Sequence, residues 1–205
     1  DGTHPNDLGM MHYAEGYEKV LRKILKEPKG SASTMKACIQ YREPHNYDWE
    51  ERHRDILKMN QNDPPKTVIL ANSIVHFWGG LPRTRLVTEE DSWASYLTPL
   101  GVRNFGFGWD RIENVLWRVY HDELDGFEAE RILIMIGTNN LHLNSDQEIA
   151  EGLRLLIEGV KQRQPKAELI LLGLLPRRKG EERIRKLNLK IAQLASDAAV
   201  QFLSL

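Results

Sequence analysis

One serine stands at a position from which it can attack an ester carbonyl. Two residues separate Ser73 from an apolar run at 67–70, which places its hydroxyl between the end of a predicted strand and the start of a helix. A serine there can present its hydroxyl outward while its own backbone N–H faces an incoming carbonyl oxygen. For a lone serine, the competing interpretation is an ordinary helix N-cap. The neighbouring residues decide between the two.

Two further loops supply candidate hydrogen-bond donors for an oxyanion. Asn139 follows the apolar run at 131–136, where its side-chain amide can donate to an oxyanion or serve as an ordinary turn residue. The loop at 106–110 contains Gly108, beside which a backbone N–H can approach a ligand closely. Because Arg111 stands where a dinucleotide fingerprint requires glycine, no nucleotide cofactor is predicted.

A nucleophilic serine also needs a base and a group that orients the base. Asp1 and His4, in the segment DGTHPN, supply both in one turn: the carboxylate can accept a proton from one ring nitrogen while the other faces Ser73. A helix-entry turn is the alternative for this pair. His76 is interpreted as structural. No metal is predicted, because four other histidines lack ligand spacing to carboxylates: His12, His45, His53 and His121.

The elements that must position these residues alternate in type after Lys66. Helical patterns lie at 110–121, 146–163 and 181–197, with others at 7–26 and 47–60. Alternation of this kind predicts an α/β fold whose parallel sheet carries helices on both faces, and ligands bind such sheets at the carboxyl ends of the strands. Five apolar runs are predicted strands, the third and fourth fully buried: 67–70, 101–105, 131–136, 168–175 and 200–205.

Composition narrows the class of protein further. The chain has 205 residues and 41% hydrophobic content, which fits one domain, and 28 basic against 29 acidic residues favour neither nucleic acid nor an anionic membrane. Cys38 is the only cysteine, which excludes an intrachain disulfide. No apolar run approaches the roughly 18 residues of a membrane span, and no leader opens the chain. We therefore expect a soluble protein, cytoplasmic or exported through an upstream signal.

Taken together, four short segments resemble the SGNH (GDSL-like) hydrolases. Within that family, the chain is most similar to acylhydrolases of the platelet-activating-factor acetylhydrolase catalytic-subunit type. The resemblance implies a three-layer, flavodoxin-like fold and the hydrolysis of a small acyl ester, such as an acetyl ester of a carbohydrate or lipid-like compound. The segments are ANS at 71–73, NFGFGWD at 104–110, GTNN at 137–140 and DGTHPN at 1–6.

The resemblance also assigns roles residue by residue. It makes Ser73 the nucleophile, His4 the general base and Asp1 the residue that orients His4. The oxyanion hole would combine the Ser73 N–H, a backbone N–H of the loop at 106–110 and the Asn139 side chain. No cofactor is implied, and the expected partner is a small acyl ester, with a homo-oligomer left open.

Two departures from the family pattern bear on these roles. Ala71 and Asn72 stand where the family usually has Gly-Asp, and Trp109 aligns with the glycine of the second segment, which leaves Gly108 as the adjacent donor. A non-catalytic module that only binds a ligand or partner is therefore the rival hypothesis. The predicted pocket residues are Asn72, Trp78 and His142.

The order of the segments is unusual, because DGTHPN opens the chain whereas the family places it after the last strand. We expect a single, circularly permuted domain over 1–205, in which 1–26 supplies the last helix, 27–65 is a connector and 66–205 contains the sheet. The alternative is a fragment spanning two tandem SGNH domains with an incomplete site. A missing last helix would expose an apolar sheet face, which favours the closed unit.

Overall fold

The computed structural model describes residues 13, 16, 17, 20 and 21, residues 32–178 and residues 180–204, and the chain divides into two compact units, 1–31 and 32–205. In the first unit, the five described residues are helical and exposed. The rings of Tyr13 and Tyr17 stack with their centroids 6.3 Å apart. These positions fall within the helix predicted at 7–26.

In the second unit, the described residues form strands and helices in alternation. The strands are β1 (Thr67–Ala71), β2 (Val102–Gly106), β3 (Arg131–Met135), β4 (Glu168–Leu172) and β5 (Gln201–Leu203). The α-helices are α1 (Trp49–Asn62), α2 (Ser73–His76), α3 (Glu90–Tyr96), α4 (Ile112–Tyr120), α5 (Asp146–Arg163) and α6 (Glu181–Asp197). Short 3-10 helices lie at Ser33–Met35, Thr98–Leu100 and Thr138–Asn140.

All five strands form one parallel sheet in the order β2-β1-β3-β4-β5, which confirms the predicted flavodoxin-like fold. Ala71 at the end of β1 pairs with Gly106 of β2 and with Met135 of β3. These three strands therefore end at the same level. The loops that follow them, which contain the candidate site residues, lie along one edge of the sheet.

The predicted full burial of the third and fourth strands is wrong. β1 is buried at all five positions, whereas β3 and β4 each contain exposed and half-buried residues. Leu133 pairs with Ile170, and these residues, with Leu172, share one face that the described residues cover only in part. Both strands also end earlier than predicted, at Met135 and Leu172, because the following residues leave the ladder for loops.

The core lies on both faces of the sheet. One face carries Val68, Ile132 and Leu169 against helices α1, α4, α5 and α6. The other carries a smaller cluster in which Ile69 and Ala71 lie with Val75 of α2 and Trp93 of α3. Among the described residues, no helix has the length and apolar content required to cross a membrane.

The predicted connector forms part of this packed unit. Asp48 caps α1 by accepting a hydrogen bond from the Glu51 N–H at 2.8 Å, which explains why this helix begins at Trp49. The Trp49 indole is buried in the main core, and Thr34 donates to the Glu148 carbonyl at 2.6 Å. The described part of the connector, 32–65, therefore packs against the core of the domain.

Candidate active site

Ser73 is the first residue of α2 and is not its cap. Asn72 occupies the N-cap position, where its side-chain oxygen accepts from the Ile74 N–H at 3.0 Å. The interpretation of Ser73 as an N-cap is therefore wrong. Ser73 is half-buried, and its hydroxyl has no hydrogen-bond partner among the described residues. The hydroxyl remains available for chemistry because Asn72 satisfies the helix end.

The loop after β2 brings two backbone N–H groups to the same edge. The Phe107 N–H donates to the Ala71 carbonyl at 3.1 Å, which ties this loop to the end of β1. The Gly108 N–H donates to His76 Nδ1 at 2.9 Å and is therefore already used. Trp109 adopts a left-handed backbone with φ 56°, and its side chain is exposed. Of the two predicted donors from this loop, the Trp109 N–H is the one left open within the described part of the chain.

His76 is held neutral inside the fold. It is fully buried, its ring stacks on Phe77 at 4.5 Å, and Tyr47 meets it edge-on at the same distance. Burial, together with the charges of Arg52 and Arg118, lowers the pKa of His76 to about 2. A neutral ring keeps the Nδ1 lone pair that accepts from Gly108. His76 therefore has a structural role, because it accepts a hydrogen bond that holds the loop after β2.

The loop after β3 is joined to the loop after β2 through side-chain amides. Asn139 is half-buried and donates to the Asp110 carbonyl at 2.9 Å. Its neighbour Asn140 is buried, accepts from the Ile112 N–H at 3.1 Å and donates to Glu113 at 2.9 Å. The two loops therefore hold a fixed relative position at the sheet edge.

A buried network of charges anchors the end of the second loop. Asp110 accepts from Arg118 at 2.9 Å and from the Trp49 indole at 2.8 Å, and Arg118 also pairs with Glu123 at 2.5 Å. His53 contacts the second Glu123 oxygen at 2.7 Å. Burial raises the pKa of Asp110, whereas Arg118 and the donated hydrogen bonds lower it, and the net value is about 6.

Sequence reasoning missed the residues of the connector that contact this loop. Gln40 and Tyr47 both donate to the Gly108 carbonyl, at 2.9 and 2.8 Å, and Arg42 donates to the Trp109 carbonyl at 3.0 Å. No periodicity marks these side chains, since they lie in irregular backbone. The only signal in the sequence was that the connector is rich in polar and aromatic residues around these positions.

The three predicted pocket residues differ in their environments. The Trp78 indole donates to Ser92 at 2.7 Å and packs edge-on against Trp93 at 5.5 Å, so it is largely committed to the smaller core cluster. Asn72 is buried and serves as the cap of α2. His142 is exposed in the turn that follows the 3-10 helix Thr138–Asn140.

The predicted base and its partner, His4 and Asp1, lie outside the described residues. Their pairing with Ser73 therefore stays a prediction. Within the described part of the chain, no group of three or more histidine, cysteine, aspartate or glutamate side chains is placed to hold a metal ion.

Comparison with known proteins decides the family. The model of the GDSL-like lipase/acylhydrolase family matches residues 72–205, which contain the loops after β1, β2 and β3. The chain belongs to this family. Among its curated relatives, the human platelet-activating factor acetylhydrolase IB subunit alpha2 is 32% identical over 146 residues, or 71% of this chain. The matched stretch spans 59% of that subunit's length.

Solved structures agree with this GDSL-like fold. A provisionally named platelet activating factor protein from Streptococcus pneumonia superposes with a TM-score of 0.62 at 22% identity, covering 76% of this chain and 73% of that one. A variant of an acetyl-xylooligosaccharide esterase from Geobacillus Stearmophilus gives a TM-score of 0.51 at 18% identity, covering 68% and 75%. At these identities, the likeness supports the fold alone.

Proposed function

We propose that this GDSL-like chain hydrolyses a small acyl ester, with acetyl as the acyl group, through an acyl-enzyme on Ser73. One observation carries the proposal. The Ser73 hydroxyl lies unpartnered within the described part of the chain, at the carboxyl end of β1, while Asn72 caps the helix in its place. Family membership supplies the reaction class.

The chemistry requires donors for the oxyanion that forms when Ser73 attacks. The Ser73 N–H, the Trp109 N–H and the Asn139 side chain are the proposed three. The level ends of β1, β2 and β3 and the bond from Asn139 to the Asp110 carbonyl support this grouping. Preorganised donors stabilise charge as it develops, so each acts mainly on the transition state. Collapse of the intermediate expels the alcohol, and water then releases the acyl group.

We further propose that His4 is the general base and Asp1 its orienting carboxylate, within a single permuted domain of 1–205. The half-covered face formed by Leu133, Ile170 and Leu172 supports this, because a sheet face of that kind needs a covering helix. The amphipathic segment 7–26 has the required pattern. On the tandem-fragment alternative, His4 would contribute nothing to Ser73 of the same chain.

An acetyl ester is the proposed substrate class on two grounds. The names of the human relative and of the Geobacillus esterase both specify acetyl groups, on platelet-activating factor and on a xylooligosaccharide respectively. Of the two, we favour an acetylated carbohydrate. Comparing turnover of acetylated xylooligosaccharides with that of a short-chain acetylated lipid distinguishes the two leaving groups.

Two measurements test the nucleophile. An organophosphonate probe should label the chain, and p-nitrophenyl acetate should be hydrolysed; Ser73→Ala should abolish both. Ser196→Ala, on an exposed face of α6, is the matched control and should retain both. Labelling that persists in Ser73→Ala would move the nucleophile elsewhere. Absence of labelling and of turnover in the wild-type chain would favour the non-catalytic binding module.

The same substrate tests the base. His4→Ala should reduce turnover to near the background rate because it removes the proposed base, and Asp1→Asn should reduce it less because that variant keeps the base and loses only the carboxylate that orients it. If His4→Ala turns over p-nitrophenyl acetate as fast as the wild type, the permuted triad is wrong even where Ser73 is confirmed.

A further inference from the structure

The backbone of Gly108 and Trp109 has four polar groups, and three of them have hydrogen-bond partners. The Gly108 N–H donates to His76, the Gly108 carbonyl accepts from both Gln40 and Tyr47, and the Trp109 carbonyl accepts from Arg42. The Trp109 N–H is the one backbone group of the pair without a partner among the described residues. Trp109 is exposed, so this N–H is open to solvent or to a ligand.

The geometry of a trans peptide shows in which direction the Trp109 N–H points. The carbonyl of Gly108 and the N–H of Trp109 belong to the same planar peptide and point in opposite directions within its plane. Two donors from the connector hold the carbonyl on their own side, toward Gln40 and Tyr47. The Trp109 N–H must then point away from the connector.

The bonds that fix this carbonyl are themselves constrained. Gln40 is buried, and its two amide hydrogens are shared among the Gly108 carbonyl, Asp110 and the Tyr47 hydroxyl, the last two at 3.1 Å, while its oxygen accepts from the Arg42 N–H at 2.7 Å. A Cβ atom on Gly108 would lie 2.9 Å from the Tyr47 ring, so the loop and the connector are in direct contact. Rotation of the peptide would break several of these bonds together.

We propose that Gln40 and Tyr47 are positioning residues, which act through the Gly108 carbonyl to aim the Trp109 N–H at the oxyanion formed on Ser73. The inference rests on the proposed function. It accounts for a tryptophan with φ 56° at the position that the family fills with glycine, since the left-handed backbone is maintained by bonds from outside the loop. Because both residues act through the backbone of the loop, we expect them to influence the transition state more than substrate binding.

Tyr47→Phe tests the proposal because it deletes one hydroxyl and leaves the ring in place. We expect kcat for p-nitrophenyl acetate to fall about tenfold with KM unchanged, and Tyr47→Phe with Gln40→Leu to approach the roughly hundredfold loss of one oxyanion donor. Tyr41→Phe is the matched control: its hydroxyl bonds to Glu50 on the surface, and its kinetics should equal those of the wild type. Thermal melting of each variant separates misfolding from mispositioning.

Amide hydrogen exchange gives a second readout that does not depend on turnover. In the wild-type chain the Gly108 amide should exchange slowly and the Trp109 amide quickly, and Tyr47→Phe with Gln40→Leu should accelerate exchange at Gly108. Wild-type kcat in folded Tyr47→Phe and in the double variant would overturn the positioning role while leaving the proposed function intact. A wild-type chain whose Ser73 fails to react with the phosphonate would overturn both.

Discussion

The Asn139 side chain donates a hydrogen bond to the Asp110 carbonyl at 2.9 Å, so one amide hydrogen fixes the side chain and the second remains for a ligand. We expect Asn139→Ala to lower kcat by roughly a hundredfold or more with little change in KM, the usual cost of one oxyanion donor. Steady-state hydrolysis of p-nitrophenyl acetate measures both constants. Asn62→Ala, at the exposed end of α1, should behave as the wild type; an Asn139 variant that matched it would reduce Asn139 to a turn residue.

The cap of α2 gives a prediction about stability. Asn72→Ala removes the acceptor for the Ile74 N–H and should lower the free energy of unfolding by about 0.5–2 kcal/mol. Asn72→Ser keeps an oxygen at the cap and should lose less. Urea unfolding followed by tryptophan fluorescence measures the difference, and equal losses in the two variants would contradict the capping role.

The buried His76 predicts a dependence of stability on pH. Burial lowers the pKa of folded His76 to about 2 from an ordinary value of 6.5, so between these values the unfolded chain binds a proton that the folded chain does not. The free energy of unfolding should therefore fall as the pH is lowered below 6.5, by up to about 1.4 kcal/mol per pH unit from this group.

His76→Asn is the variant that isolates this effect, because its side-chain oxygen, like Nδ1, is one bond from Cγ and can still accept from the Gly108 N–H but does not titrate in this range. Urea unfolding at a series of pH values between 4 and 8 should show a shallower acid slope in the variant. Parallel curves for the two proteins would mean that His76 has the same pKa in the folded and the unfolded chain, which would contradict its being held neutral.

The network around Asp110 predicts contrasting effects of two arginine substitutions. Arg118→Met leaves Asp110 and Glu123 as buried carboxylates without their cation and should cost about 3–5 kcal/mol of stability. Arg185→Met makes the same chemical change to an exposed pair with Glu182 and should leave stability unchanged within error. Chemical unfolding of both variants checks this, and a loss of similar size in the two would contradict the assigned network.

The strand pattern and the loops at the sheet edge were predictable because they depend on local regularities. Alternating apolar runs predicted the type of each strand and its parallel pairing, and the loops that contain Gly108 and Asn139 were predictable from their places after strands. Burial was less predictable: Leu133 and Ile170 are as apolar as the residues of β1, but their burial depends on which helix crosses that face.

Side chains that act at long range in the sequence escaped prediction for a different reason. Gln40 and Tyr47 meet Gly108 across more than sixty positions, and nothing in their local composition specifies that partner. Ser73 was ambiguous for a related reason, because a serine one residue before a helix and one residue inside it look alike in sequence. Only the hydrogen bond from Ile74 to Asn72 separates them.

The contacts of the connector also bear on how far the chain can be trimmed. The recognisable family segment begins at Asn72, yet Arg52 of α1 donates to the carbonyls of Gly106 and Asn104 at 2.7 and 3.0 Å inside the core. An expression product trimmed to the family segment would lack β1, which pairs with both β2 and β3, and would also lack α1, so Phe107 would be uncovered. A product with boundaries drawn from sequence similarity should therefore be insoluble. A product that begins near residue 32 would keep α1 and its contacts with the core.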